Sequence, residues 1–215
     1  MSNKKSVHPY HYSEEKNIVQ YLIDFGVPLL LFWLFFQFYN FGKISPSEMV
    51  KTTGLLSISL LGLTLAVGPI SRIFPALDFL KAHRKVWGIL SFLIAFAHVS
   101  LVFVYFYKFN IFKFIDTSNP KYSGILSGLI ALGILLLVTL TSNKRALENL
   151  SPKTWKAIQT TSYLALALAF LHFFLMEQVN GSLVIKRLLG QITFWFSAIV
   201  LALRILILFL PPKKS

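Results

Sequence analysis

Cysteine is absent from this sequence, and with it go disulfides, thiolate zinc sites, iron–sulfur clusters and the CxxCH attachment of c-type haem. Any metal must therefore be held by His, Met or oxygen ligands. Charge is scarce as well: 13% of the 215 residues are charged against 55% hydrophobic, too apolar a balance for a soluble domain of this length. Acidic residues are fewest, with 8 Asp and Glu against 21 Lys and Arg. No G-x-G-x-x-G turn and no P-loop occur, so a nicotinamide dinucleotide cannot bind in the usual way. Internal repeats and low-complexity segments are missing too.

Long apolar runs take their place. A hydrocarbon core of about 30 Å needs roughly 20 apolar residues per helix. Hydropathy places six such spans, near Ile18 to Tyr39, Thr52 to Ser71, Val86 to Tyr107, Ser123 to Thr141, Trp155 to Met176 and Gln191 to Leu210. Backbone groups in lipid must be satisfied within the segment, and runs this long without strict alternation are helices rather than barrel strands. The expected fold is an all-α polytopic bundle of six transmembrane helices over 18–210, with a polar tail over 1–17 and a short tail over 211–215. The first apolar run lacks a small-residue cleavage signal, so the mature chain is expected to begin near Met1.

The basic residues lie between the apolar runs. Thirteen Lys and Arg fall on the side of the two tails and the even-numbered loops, seven fall on the other, and Arg204 stands inside the sixth span. The positive-inside rule then puts both termini in the cytoplasm. Topology accounts for the net charge of +13 better than nucleic-acid binding does, and the expected partner is membrane lipid.

Two histidines stand inside apolar runs: His98 in SFLIAFAHVSLVFV on the third span and His172 in LALALAFLHFFLM on the fifth. An ionisable ring in hydrocarbon is a functional candidate by default, although one histidine alone is about as often a hydrogen-bonded packing residue. His98 lies 13 residues beyond Lys85 and His172 lies 16 beyond Lys156, which places them roughly 20 and 24 Å from the inner surface. Two imidazoles at matched depth on separate helices can ligate one iron from both sides, the way a four-helix membrane core holds a b-type haem. Ala95 and Ser91 share a face with His98, and Ala169 and Ala165 share one with His172, leaving room for a flat cofactor. Small residues equally let helices approach, the role expected of Gly124 and Gly128 on the fourth span.

The stretches HRKVWGILSFLIAFAHV and TSNKRALENLSPKTWKAIQTTSYLALALAFLH resemble the ferric-reductase-like transmembrane family, in which a basic helix start and a Gly, or a loop, Trp and Tyr, lead into the haem histidines. The likeness runs over roughly Leu55 to Arg204 and is closest to the haem-binding membrane subunit of the bacterial protein-methionine-sulfoxide reductase system. It implies an electron-transfer subunit of an oxidoreductase in the bacterial cytoplasmic membrane, with haem b on His98 and His172. The implied donor is a separate cytoplasmic flavin reductase or quinol. The implied acceptor lies outside, a periplasmic methionine-sulfoxide reductase or ferric iron.

One departure bears on the number of haems. The family's further histidine, 13 residues before the second ligand, is here Gln159, and the matching position on the third span is Arg84, beside His83. A second haem would need His83, which is expected to be a solvated loop residue. An FMN or quinone near Trp87, Trp155, Gln159 and Arg204 would bridge the inner half, since an aromatic, cationic pocket suits a flat anion. Trp87 and Trp155 also fit an interfacial aromatic belt. Arg204 reads first as snorkelling to the headgroups, and otherwise as the partner of a haem propionate or flavin phosphate. Asp24 is expected at the interface, and His8 and His11 lie in the polar tail, where weak metal binding is open to them. A rival reading uses His98, His172 and Arg204 as the polar path of a small transporter or proton conductor.

Overall fold

The computed structural model describes residues 17–209; His8, His11 and the tail over 211–215 lie outside the described residues. Six helices are long and apolar enough to cross a membrane: Ile18–Tyr39, Pro46–Ile73, Pro75–Phe106, Tyr122–Leu140, Pro152–Met176 and Leu188–Phe209, here spans one to six. The chain is an integral membrane protein of the all-α class. Strand among the described residues is limited to a short ribbon, Gln178–Val179 against Ser182–Leu183, ahead of span six.

Capping chemistry sets where the spans begin. Asn17 and Gln20 bond each other's backbone in a reciprocal box at the start of span one. Ser45 accepts from the Glu48 N–H with Pro46 next in line, so span two begins ahead of the expected Thr52. Ser151 and Pro152 do the same for span five, ahead of Trp155. Span three starts earliest of all relative to expectation: Pro75–His83 winds as a 3-10 helix leading into the α-helix from Arg84, where an ordinary loop was expected. Another expected loop carries the short helix Lys144–Asn149. Hydropathy misses these turns because polar residues at the membrane edge lower the average without breaking the helix.

Span two is the axis of the bundle. It packs against spans one, three, five and six, while span four packs against three and five. Leu60, Leu61, Leu65, Ala66 and Val67 are all buried along it. Short polar groups tie it to its neighbours: Ser57 and Ser91 each donate to the other's backbone carbonyl at 2.9 Å, and Ser59 pairs with Thr193 at 3.2 Å. Such bonds have no competing water in hydrocarbon.

His83 and Asp24 depart from expectation together. Instead of a solvated loop residue and an interfacial carboxylate, they form a buried pair, 3% and 1% exposed, with His83 Nδ1 2.8 Å from Asp24 Oδ1. The 3-10 turn carries His83 back against span one. Trp87, 2% exposed, stacks on that imidazole with centroids 5.6 Å apart and donates its indole N–H to the Ile23 carbonyl at 3.4 Å. It belongs to the packed interior rather than to an aromatic belt.

This pair should be measurable as a coupling between spans one and three. Asp24→Ala and His83→Ala are each expected to cost about 1–3 kcal/mol in thermal unfolding in detergent, because each strands a buried polar partner. The double variant should lose less than the two single losses added together. Strictly additive losses would show that the two side chains do not support one another.

Candidate functional site

Spans two to five enclose a cavity of about 470 Å³, within the range of small-molecule and cofactor sites. Ile58, Leu61, Leu132 and Leu135 line one end of it, and Tyr39, Lys51, Tyr107 and Glu177 line the other. His98 and His172 both face into it from spans three and five. Their ring centroids are 6.2 Å apart and their planes stand at 82°.

Each ring is held by the same device. His98 Nδ1 lies 2.8 Å from the Val50 carbonyl oxygen, and His172 Nδ1 lies 2.8 Å from that of Gly124. A carbonyl can only accept, so Nδ1 carries the proton and Nε2 of each neutral ring keeps a free lone pair. One helical turn beyond each carbonyl is a glycine. A Cβ on Gly54 would stand 3.1 Å from the His98 ring, and one on Gly128 would stand 2.8 Å from His172 Nδ1. Carbonyl at i and glycine at i+4 therefore cradle one imidazole on span two and again on span four.

The arrangement suits a shared metal. Two imidazole nitrogens at about 2 Å from one ion put the ring centres roughly 6 Å apart, once the distance from nitrogen to ring centre is included. Ala95 and Ala169 line the cavity beside the rings, whereas Ser91 and Ala165 are buried in helix contacts and do not. Spans one and three each end in a π-helical turn, Phe35–Tyr39 and Val102–Phe106, and Tyr39, Val102 and Phe106 lie on the cavity wall. Single π turns within helices often mark functional sites, where the looser winding re-aims side chains.

The remaining residues singled out from sequence sit elsewhere. The Gln159 amide nitrogen donates to the Val138 carbonyl at 3.3 Å and to the hydroxyls of Thr141 and Ser142 at 3.2 Å, tying the start of span five to the end of span four. Trp155 donates its indole N–H to the Thr141 carbonyl at 3.1 Å. Arg204 is half-buried, and its guanidinium lies 4.8 Å from the centre of the Tyr163 ring. None of these residues, nor Trp87, lines the cavity. Sequence reasoning missed Val50 and Gly54; the clue available was the repeat on span two of the four-residue spacing that joins Gly124 to Gly128.

Comparison with known proteins agrees with this architecture. Residues 53–170 match a family described as the ferric reductase like transmembrane component. The chain is also similar to the magnetosome protein MamZ of Paramagnetospirillum magneticum (strain ATCC 700264 / AMB-1), at 25% identity over 158 residues. That alignment covers 73% of this chain and 24% of MamZ, so the chain spans about a quarter of that relative's length.

The cradle makes a steric forecast. Gly128→Ala should displace the His172 ring and weaken its bond to Gly124, costing about 1–3 kcal/mol in thermal unfolding. Gly54→Ala should cost less, since its contact is looser, and Gly133→Ala, with open space around it, should be neutral. Equal stability of all three variants would show that the glycines are not shaped to the rings.

Proposed function

We propose that the chain, which belongs to the ferric-reductase-like transmembrane family, is a membrane b-type cytochrome with one haem held between His98 and His172. The observation that carries this reading is the pair of imidazoles 6.2 Å apart in one cavity, each with Nδ1 bonded to a carbonyl and Nε2 free. The haem would supply a one-electron iron centre. His98 and His172 would hold it, and two imidazole ligands would suit electron transfer rather than oxygen binding. The Nδ1–H bonds orient the rings. Ile58, Leu61, Leu132 and Leu135 keep water from the inner end.

By the positive-inside rule the termini would lie in the cytoplasm and the Tyr39, Lys51, Tyr107 and Glu177 end outside, and the membrane we propose is a bacterial cytoplasmic one. Electrons would then enter from a cytoplasmic flavin reductase or from quinol and leave toward an outside acceptor, a methionine-sulfoxide reductase or ferric iron. One haem is favoured over two, because His83, the third histidine among the described residues, is engaged with Asp24. An FMN or quinone serving the inner half would sit near Arg204, since the Trp87 and Trp155 indoles and the Gln159 amide nitrogen are already bonded within the protein. A conducting path through His98, His172 and Arg204 fits less well, as Arg204 lies against Tyr163 outside the cavity.

Pyridine haemochrome assay of the protein purified from haem-replete cells should give one haem b per chain. His98→Ala and His172→Ala should each abolish stable haem binding, whereas Gln159→Ala should keep it, and His83→Ala should keep it at reduced thermal stability. A colourless wild-type preparation would sink the proposal. A ratio near two would instead place a second haem in the inner half.

A further inference from the structure

We propose that the two propionates of this haem face the polar end of the cavity and that the Lys51 ammonium anchors them, with the Tyr107 hydroxyl as a second donor; the inference rests on the haem reading above. Haem is amphiphilic, with an apolar edge and a dianionic one, and so is the cavity. Its inner end is aliphatic, and the Ser57 hydroxyl on its wall is already donated to the Ser91 carbonyl. A dianionic edge turned toward those leucines would lose its hydration with nothing in return.

Lys51 is the cationic residue among those lining the cavity, and two further cations on this side are committed elsewhere. Arg187 is held by both oxygens of Glu48 at 2.6 and 3.0 Å and lies over the Tyr39 ring at 4.5 Å. Lys121 donates to the Leu175 and Gln178 carbonyls at 2.8 and 2.5 Å, closing the end of span five. Lys51 lines the cavity and makes no hydrogen bond or ion pair among the described residues. The carboxylate at the same rim, Glu177, belongs to the end of span five and repels a propionate beside it, which steers the anionic edge toward span two. Lys51 also follows Val50, whose carbonyl holds His98, so one turn of span two would fix both an axial ligand and the anionic edge. The edge from which an electron departs would then face the side where the acceptor is proposed.

The test compares protohaem with its dimethyl ester, whose propionates carry no charge. Full-length protein produced without haem is titrated in detergent with each porphyrin, following the low-spin spectrum. Wild type should bind protohaem roughly tenfold more tightly than the ester, the scale of a charge-assisted contact. Lys51→Gln should bind both with about the ester's affinity, Lys51→Arg should keep the preference, and Tyr107→Phe should lose a smaller part of it. Retention of the full preference in Lys51→Gln, or no preference in wild type, would overturn the anchor while leaving the histidine ligands standing. Absence of a low-spin spectrum with either porphyrin in wild type would overturn the haem reading and the anchor with it.

Discussion

An imidazole in hydrocarbon must give its N–H to something, and here each of the two rings gives it to a backbone carbonyl of a neighbouring helix. That bond, 2.8 Å long for both His98 and His172, fixes which nitrogen is free and where it points. The carbonyls of Val50 and Gly124 sit within helices and also lie 3.0 Å from the Thr53 hydroxyl and 2.8 Å from the Ser127 hydroxyl, so each ring shares its acceptor with a neighbouring side chain. Glycine one turn further on is what lets the ring come close enough. The placement of the two rings is thereby written into spans two and four, although the histidines themselves belong to spans three and five.

This constraint explains the shape of the bundle. Span two must stay in register with span three for Val50 to meet His98, and the reciprocal Ser57 and Ser91 bonds hold that register further along the same contact. Span four must stay in register with span five, and the Gln159 amide and Trp155 indole fasten the far ends of that pair. The cavity lies between the two fastened pairs. Span one closes the other side of span two, and its pairing through Asp24 and His83 stabilises the half of the bundle remote from the rings.

Much of this was legible in the sequence, for physical reasons that differ by residue. Spans follow from hydropathy because lipid allows so few alternatives, and the shared level of His98 and His172 follows from helical rise. His83 was misread because PALDFLKAH carries Pro, Asp and Lys like a loop, and only a partner 59 residues away, Asp24, accounts for its burial. Gly54 was invisible because a glycine in a membrane helix has a generic explanation, and only the ring beside it supplies the specific one. Gln159 stands where the resembling family has a histidine. The residues gave no hint that its amide would serve the end of span four. Lys51, by sequence, is one basic residue among the seven on its side of the membrane, and only the cavity beside it sets it apart.

In the proposed cytochrome two imidazoles, held nearly perpendicular, would share one iron. Electron paramagnetic resonance of the oxidised protein tests it directly, because the angle between axial imidazole planes governs the anisotropy of a low-spin ferric signal. With the rings at 82°, the strongly anisotropic low-spin signal of crossed planes is expected. A high-spin signal would contradict bis-histidine ligation, and the rhombic low-spin signal of parallel planes would contradict the ring geometry that the Val50 and Gly124 carbonyls impose.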